Sequence, residues 1–282
     1  MLIFNKQTDL KAYLLPFLAS KTTVGFVPTM GALHDGHLSL LRKALQENEV
    51  VVMSIFVNPT QFNNAEDLEK YPRTLERDVE KIATISNKII VFAPSVDDIY
   101  EGNTVSESFD YDGLEHQMEG KHRPGHFDGV GTVVKRFFEI IQPTHSYFGE
   151  KDFQQLQIIK KLVQKYKIPV NVIGCPIHRE KNGLAMSSRN ERLSETERKE
   201  AALIFKTLTA SKKMFGTKTA NEVSNFVKKT FENHPKFSLE YFQIADEATL
   251  KPCLRKSKNK KYRAFIAVFV NNIRLIDTIS LN

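Results

Sequence analysis

Two histidines three residues apart follow the first apolar segment that could form a strand. The segment reads Pro-Thr-Met-Gly-Ala-Leu-His-Asp-Gly-His, and it ends with His34, Asp35, Gly36 and His37. A helix that begins here directs free N–H groups and the positive end of its dipole towards one point. Two imidazoles at that point could donate to phosphate oxygens and stabilise charge during phosphoryl or nucleotidyl transfer. Two surface histidines in a turn would have the same spacing, so this pattern alone does not decide.

Two hydroxyls and a guanidinium stand together at Ser187, Ser188 and Arg189. They suit a triphosphate, because a guanidinium forms paired hydrogen bonds with phosphate oxygens. Taken alone, the segment is better explained as a solvated linker that leads to a helix cap at Ser194. Taken with the two histidines, it favours a nucleotide site similar to that of class I tRNA-synthetase-type nucleotidyltransferases.

Three further polar side chains follow strand-like segments. Lys151 stands at the start of a helix, where the macrodipole disfavours a cation unless an anion offsets it. Gln155 is one turn further on and could face the same crevice. Gln61 carries an amide that both donates and accepts, which suits a hydroxy acid. The alternatives are a lysine that extends into water and a simple turn at Asn58.

Standard phosphate, metal and nucleophile motifs do not occur in the sequence. There is no Gly-x-Gly-x-x-Gly fingerprint, no P-loop, no His-Glu-x-x-His or Cys-x-x-Cys motif and no Gly-x-Ser-x-Gly elbow. Two basic segments remain, 119–127 and 255–263. The first could cover a crevice and the second could bind nucleic acid. A solvated loop and a solvated hairpin tip are the simpler interpretations, because no RNA-binding signature accompanies them.

Alternating strand and helix patterns must position these residues. Apolar and β-branched runs predict parallel strands, and apolar residues at helical spacing predict helices between them. The predicted strands cover residues 23–30, 49–57, 88–92, 146–148 and 170–174, and the predicted helices cover 37–46, 75–86, 128–141 and 152–166. This order predicts an α/β fold with a doubly wound parallel, Rossmann-like sheet. Its ligands would bind beyond the carboxyl ends of the strands.

The pattern changes after Gly183. Helices are predicted over 194–214 and 219–234, and the strands that follow are predicted over 239–244, 262–270 and 273–279. That order is typical of a smaller α+β domain. The charge changes too, since residues 1–180 carry 20 basic and 23 acidic side chains while residues 181–282 carry 20 and 10. We therefore predict two domains, residues 1–182 and residues 183–282.

Length and composition exclude several classes of protein. The 282 residues suffice for two domains, and 41% hydrophobic with 26% charged residues is ordinary for a globular chain. The longest apolar run, 264–270, is far shorter than the ~18 residues that a spanning helix needs. The first residues show no signal pattern, so we expect a cytoplasmic protein with Cys175 and Cys253 as thiols. The net charge of +7 leaves open whether the partner is a nucleic acid or a small anion.

Seven segments, in one order along essentially the whole chain, resemble the pantothenate synthetase family of pantoate–β-alanine ligases. They are residues 29–37, 56–62, 71–73, 119–127, 149–155, 186–190 and 274–277. The resemblance implies that the carboxylate of (R)-pantoate attacks the α-phosphate of Mg-ATP, after which β-alanine attacks the pantoyl adenylate to release pantothenate and AMP. It also implies a homodimer, with Mg²⁺ held mainly by the ATP phosphates. We expect no nucleic-acid or membrane partner.

The family's site residues carry over onto matching positions of this chain. His37 would be the catalytic proton donor, Gln61 would bind both pantoate and β-alanine, and Gln155 would bind pantoate. The residues that would bind ATP are Met30, Gly31, Ala32, Leu33, His34, Asp35, Gly36, His37, Gly149, Glu150, Lys151, Asp152, His178, Met186, Ser187, Ser188 and Arg189. We assign no protein ligand to the metal, and Asp78 is a candidate that we leave unassigned.

Three positions depart from the family's pattern. His178, whose backbone would contact the adenine, stands where the family is usually apolar. Glu191 and Arg192 replace a commoner pair that contains an aromatic residue. Residues 270–273 lack the usual glycine, which puts a turn near the C-terminus in doubt.

The resemblance also suggests how water is kept from the reactive intermediate. We expect residues 183–282 to act as a lid that carries Ser187, Ser188 and Arg189 to the triphosphate and excludes water from the acyl adenylate. Three alternative hypotheses remain. They are a related enzyme that transfers a nucleotide to a phosphorylated alcohol, a nucleic-acid-binding module and a catalytically inactive scaffold.

Overall fold

Two sheets organise the chain, and each belongs to its own compact unit. The structure is a computed structural model that describes residues 1–232 and 234–282, with the backbone alone for residue 67. The first unit comprises Met1–Glu115, Glu119–Gly149 and Gln155–Cys175, and the second comprises His116–Met118, Glu150–Gln154 and Pro176–Asn282.

The strands and helices of the described residues follow one another in the order that the sequence pattern predicts, with additions. The strands are β1 (Leu2–Phe4), β2 (Val24–Thr29), β3 (Val50–Ile55), β4 (Ile90–Phe92), β5 (His145–Gly149), β6 (Asn171–Cys175), β7 (Phe237–Asp246), β8 (Tyr262–Val270) and β9 (Ile273–Ser280). The helices are α1 (Gln7–Ala19), α2 (Asp35–Glu47), α3 (Ala65–Glu69), α4 (Leu75–Ala83), α5 (Val96–Tyr100), α6 (Met118–His122), α7 (His126–Ile141), α8 (Phe153–Tyr166), α9 (Glu195–Glu200), α10 (Ala202–Phe215) and α11 (Ala220–Glu232). In this part of the chain, no helix is both long enough and apolar enough to cross a bilayer.

The first sheet is parallel throughout, with the strand order β1-β4-β3-β2-β5-β6. Neighbouring residues of β2 point to opposite faces of the sheet. Phe26 meets Phe137 of α7 edge-on, whereas Val27 lies in one apolar cluster with Leu41 of α2. Phe26 and Val27 are both fully buried. Helices therefore cover both faces of the sheet, which confirms the predicted doubly wound architecture.

The structure adds elements that the sequence pattern does not predict, among them β1 and α1, and it divides one predicted helix into two. A sixth strand, β1, pairs in parallel with β4 and is followed by α1, where the sequence pattern predicts no element. Helix α1 buries Leu10 and Leu14 but leaves Leu15 65% exposed, so its apolar residues do not form a single stripe, and it also contains Pro16. The single helix predicted over 194–214 is two helices that meet at Ala201. Ala201 is fully buried, so tertiary packing sets a break that no glycine or proline marks.

The second sheet is antiparallel, with the order β7-β8-β9. Ile266 of β8 and Val227 of α11 lie in the same hydrophobic cluster, so the helix packs on this sheet. A two-residue turn connects β8 to β9, and Val270 pairs with Ile273 across it. Asn271 has a φ of 48° in this turn, a conformation that asparagine tolerates better than most residues. The turn therefore forms without glycine, and the doubt raised by the sequence is removed.

Candidate functional site

The candidate residues of the first unit follow three neighbouring strands. Strands β3, β2 and β5 are adjacent and parallel, so their carboxyl ends lie at one edge of the sheet. The segment 30–37 follows β2, Gln61 follows β3, and β5 ends at Gly149. Gln155 lies in the first turn of α8 and is partly exposed. The strand order thus places these segments at the edge where α/β sheets bind ligands.

His34 and His37 form a reciprocal cap at the start of α2. Nδ1 of His34 accepts the N–H of Gly36 at 3.2 Å, and Nδ1 of His37 accepts the N–H of His34 at 3.3 Å. The ring centroids are 4.0 Å apart and the rings are tilted by 31°. Because each Nδ1 accepts, the ring proton of each neutral imidazole lies on Nε2, which is then a donor. The cap therefore sets the tautomer that a phosphate-binding or proton-donating histidine needs.

A buried carboxylate holds the loop that precedes the two histidines. Asp78 of α4 is 1% exposed. Its Oδ2 accepts the N–H of Ala32 at 2.9 Å, and its Oδ1 accepts the N–H of Leu33 at 2.7 Å. Gly31 and Ala32 have φ values of 82° and 48°, a left-handed conformation that is unfavourable for alanine. Both carboxylate oxygens of Asp78 accept backbone N–H groups of this loop. Asp78 is therefore better explained as a residue that holds the loop than as a metal ligand.

Gln61 lies in a 3₁₀ turn, Pro59–Gln61, and is 9% exposed. Its side-chain Nε2 contacts Sδ of Met30, and its Oε1 accepts Nδ2 of Asn58 at 3.3 Å. Its backbone carbonyl accepts Nδ1 of His126 at 2.8 Å. The structure thus brings together two of the predicted site residues, Met30 and Gln61.

Asn58 connects Gln61 to the core of the first unit. Its Nδ2 donates to the carbonyl of Gly129 at 3.0 Å, and its Oδ1 accepts the hydroxyl of Tyr100 at 2.6 Å. Burial raises the pKa of the Tyr100 phenol, so this hydroxyl stays protonated and donates. Helix α7 comes this close because residue 129 is glycine: a Cβ there would lie 2.4 Å from the carbonyl oxygen of Thr60. Asn58 is therefore more than a turn residue.

The basic segment 119–127 is not a solvated loop, so that interpretation is wrong. Its first part lies in α6 and its last residues begin α7. His126 is 7% exposed and bonds to Gln61, and Nη2 of Arg123 lies 3.4 Å from the same carbonyl. This segment packs against a backbone group of the candidate site, a contact that residue types alone do not reveal. In the basic segment 255–263, residues 255–261 are exposed, as expected for a hairpin tip, but Tyr262 and Arg263 are buried in β8, so that interpretation is wrong for the last two residues.

In the second unit, the 3₁₀ turn Glu150–Asp152 carries Lys151. The side chain of Lys151 is 17% exposed, so it does not simply extend into water. Arg263 of β8 holds this turn, because its Nη2 donates to Oε2 of Glu150 at 3.1 Å. Nε of the same guanidinium donates to Glu247 at 3.0 Å. The turn that carries the candidate lysine is thus fixed by a buried arginine of the basic segment 255–263, for which the sequence predicts a solvated position.

A short hairpin in the second unit carries the remaining candidates. The N–H of Met186 donates to the carbonyl of His178 at 3.1 Å, so the structure brings these two candidates together. Oγ of Ser187 accepts the N–H of Arg189 at 3.2 Å and caps the 3₁₀ turn Ser188–Arg192. Hydroxyl, guanidinium and backbone donors are therefore presented from one short, locally capped segment.

Two buried carboxylates, Asp78 and Asp277, leave only a partial signal in the sequence. Asp78 lies one turn before Ile82 on the buried side of α4, and Asp277 lies two residues after Leu275 in the inward-facing series of β9. A charge in an apolar series indicates a buried partner, since an unpaired buried charge is strongly unfavourable. The identity of that partner is not readable from the pattern. His126 carries no such signal.

Comparison with known sequences gives one consistent result. The family model described as pantoate-beta-alanine ligase matches residues 2–280. A pantothenate synthetase of Flavobacterium psychrophilum is 70% identical over 281 residues and covers 100% of each chain. A pantothenate synthetase of Bacteroides fragilis is 45% identical and covers 99% of this chain and 98% of its own.

Solved structures agree with the fold. The crystal structure of pantothenate synthetase from Thermus thermophilus has a TM-score of 0.91 at 38% identity and covers 100% of this chain and 99% of that one. The crystal structure of pantoate-beta-alanine ligase from Francisella tularensis, complexed with beta-gamma ATP and beta-alanine, has a TM-score of 0.79 at 35% identity. It covers 100% of this chain and 98% of that one. These likenesses confirm the predicted fold class.

Proposed function

The chain belongs to the pantoate–β-alanine ligase family, and we propose that it makes pantothenate from (R)-pantoate, β-alanine and ATP in two steps. The pantoate carboxylate attacks the α-phosphorus of ATP, forms a mixed anhydride and expels pyrophosphate. The amine of β-alanine then attacks the acyl carbon, and AMP leaves as the amide forms. Two of these substrates are supported by the relative from Francisella tularensis, which was solved with beta-gamma ATP and beta-alanine.

The reciprocal cap of His34 and His37 is the observation that carries this proposal. The substrate carboxylate is the nucleophile, so the protein has to position substrates and neutralise charge on the phosphates. Both Nδ1 atoms accept backbone N–H groups, which leaves the proton of each neutral ring on Nε2. We assign His37 as the catalytic residue, whose Nε2–H donates to oxygen as negative charge develops in the first step.

The other roles are divided between the two units of the chain. In the first unit, Gln61 binds pantoate and β-alanine, and Gln155 binds pantoate. In the second unit, Lys151 reaches the phosphates, and the adenine meets the backbone of His178. The ATP-binding set is completed by Met30, Gly31, Ala32, Leu33, His34, Asp35, Gly36, Gly149, Glu150, Asp152, Met186, Ser187, Ser188 and Arg189. Arginine and hydroxyl donors are the groups that suit a triphosphate.

Mg²⁺ enters this proposal with ATP. A metal that keeps several waters and binds through substrate phosphates requires few protein ligands. The described residues contain no cluster of three or more His, Cys, Asp or Glu side chains that could hold a metal. The ion supplies neutralisation of phosphate charge, and the side chains supply orientation. We further propose, from the family resemblance, a homodimer that works in the cytoplasm.

Exchange of labelled pyrophosphate into ATP tests the first step without the second. We expect exchange in the presence of pantoate, with β-alanine omitted, because pantoyl adenylate formation is reversible. Omitting pantoate should abolish the exchange. Exchange that proceeds equally well without pantoate would refute the assignment and would point to a different acceptor for the nucleotide.

A further inference from the structure

A buried carboxylate lies on the last strand of the second unit. Asp277 of β9 is 4% exposed. Its Oδ2 accepts Nη1 of Arg179 at 2.7 Å, and its Oδ1 accepts Nη2 of the same guanidinium at 3.0 Å. The N–H of Thr278 donates to Oδ1 at 2.7 Å. A buried carboxylate is tolerated when it is paired and hydrogen-bonded in this way. Asp277 and Arg179 therefore form one structural element.

Arg179 also closes the hairpin to which it belongs. Its Nη1 donates to the carbonyl of Gly183 at 3.1 Å, and the guanidinium stacks 4.0 Å from the ring centroid of Phe205. Gly183 has a φ of 94°, and a Cβ at this position would lie 2.3 Å from the Phe205 ring. Glycine is thus required where the hairpin turns against the aromatic ring. The arginine holds both the turn and β9.

The clamped hairpin leads directly into the candidate nucleotide segment. Arg179 and Ala185 form an antiparallel bridge, and the next residue, Met186, donates to His178. Nδ2 of Asn190 donates to the carbonyl of Ala185 at 3.1 Å. The residues between Ala185 and Asn190 include Ser187, Ser188 and Arg189. Their position therefore follows the position of the hairpin.

Strand β9 packs against both candidate nucleotide segments of the second unit, the turn Glu150–Asp152 and the turn Ser188–Arg192. Burial raises the pKa of the Asp277 carboxyl, and the positive charges of Arg179 and Lys151 oppose that rise. Asp277 lies on the strand that contacts both segments, although it belongs to neither segment.

We propose that Asp277 is a positioning residue for nucleotide binding. Through Arg179 it holds the segment 178–189 in the geometry that receives ATP, and it does not touch ATP itself. This inference rests on the function proposed above. It gives a role to Asp277, the last residue of the segment 274–277, to which the catalytic assignment gives none.

The substitution Asp277→Asn keeps the shape of the side chain and removes its charge, so one amide N–H group is forced against the guanidinium. We expect KM for ATP to rise about 10-fold or more, because contacting residues in one network are commonly coupled to this extent. KM for pantoate should stay within about twofold, since Gln61 and Gln155 belong to the first unit. The matched control is Glu240→Gln, which breaks another ion pair of the same sheet, with Arg274. That control should leave both constants unchanged.

Hydrogen exchange supplies a readout that does not depend on turnover. The amides of Gly183, Met186 and Asn190 donate to backbone carbonyls within the segment 178–190. We expect Asp277→Asn to speed exchange at these amides and to leave Ala264–Val268 of β8 protected. If Asp277→Asn does not fold, Arg179→Lys takes its place, because lysine keeps the positive charge beside Asp277 and loses the paired geometry.

The outcomes separate the inference from the proposed function. If the unmodified protein does not exchange pyrophosphate in the presence of pantoate, the proposed function fails. If it does, the role of Asp277 is refuted by any one of three results in the Asp277→Asn variant. These are an unchanged KM for ATP, equal rises in KM for ATP and for pantoate, and unchanged hydrogen exchange at the amides of residues 183–190. A selective rise in KM for ATP together with faster amide exchange supports it.

Discussion

Replacing Asp78 by alanine tests how the loop before α2 is held. The carboxylate accepts the N–H groups of Ala32 and Leu33, and these residues are 7% and 0% exposed. In the alanine variant both N–H groups would stay buried with no acceptor, unless the loop opened to water. Each hydrogen bond to a charged acceptor contributes about 1.5–3 kcal/mol, so the two together contribute about 3–6 kcal/mol.

One effect opposes this loss. Ala32 has a φ of 48°, and a non-glycine residue held in a left-handed conformation costs of order 1–3 kcal/mol. A loop released from Asp78 could relax and recover that strain. If about 2 kcal/mol of strain is recovered, the expected net loss in the free energy of unfolding is about 1–4 kcal/mol, a large part of the about 5–15 kcal/mol typical of a folded protein. The relaxed loop would also displace His34 and His37, so pyrophosphate exchange should fall even at temperatures where the variant is folded.

Urea unfolding followed by circular dichroism measures the free energy, and pyrophosphate exchange measures the first step. Asp78→Asn serves as a graded variant, because its one side-chain oxygen can accept one of the two N–H groups, and we expect about half of the loss. Glu80→Gln, exposed on the same helix, is the matched control and should behave as the unmodified protein. An alanine variant whose free energy of unfolding stays within ~0.5 kcal/mol of the unmodified value would refute the anchoring role.

Three further predictions concern the two units separately. His37→Ala should slow adenylate formation about 10²–10³-fold in single turnover. His37→Gln can keep the capping contact, so this variant should be equally slow but should have the higher free energy of unfolding. An unchanged rate in either variant would remove His37 from the mechanism. Gln61→Ala should weaken pantoate binding and leave ATP binding nearly intact by calorimetry, and equal losses would indicate a collapsed site. Arg263→Met should lower the free energy of unfolding by about 1–3 kcal/mol, because it leaves Glu150 and Glu247 without this shared partner. Lys70→Met, at the exposed pair with Glu66, should leave that free energy unchanged within error, and equal effects of the two substitutions would contradict a special role for burial.

The parallel sheet is predictable from sequence because its central strands are buried on both faces. Strand β3 is an uninterrupted apolar and small-residue run, which a parallel strand under two layers of helix requires. Strand β1 has three residues at the edge of the sheet, and Leu2 and Ile3 are 46% and 43% exposed, so no run marks it. Helix α1 is not predicted for a different reason: Pro16 lies inside it, and proline is unfavourable in the interior of a helix.

Local chemistry in the site is predictable, whereas contacts across the fold are not. The spacing of His34 and His37 predicts two imidazoles at a helix start, and the structure has them there. Asp78 is 46 residues from the amide of Ala32 that it binds, so no spacing rule connects the two. Sequence patterns report a local environment, and the partners of a buried charge are set by topology.

The two residues that hold the candidate segments, Asp78 and Asp277, are carboxylates, although the proposed ligand is a polyanion that a negative charge would repel. The partners of each carboxylate reduce this repulsion. Two N–H dipoles face the charge of Asp78, and a guanidinium faces the charge of Asp277. Each carboxylate is buried, so these interactions are less screened by water than they would be at the surface. A paired charge projects a much weaker field than an isolated one, while its hydrogen bonds keep their directional strength. Asp277 can therefore hold its segment with little repulsion of the proposed polyanion, because Arg179 balances its charge, whereas the N–H groups of Ala32 and Leu33 offset the charge of Asp78 only in part. We assign the binding of the proposed anion to the imidazoles, Lys151 and Arg189.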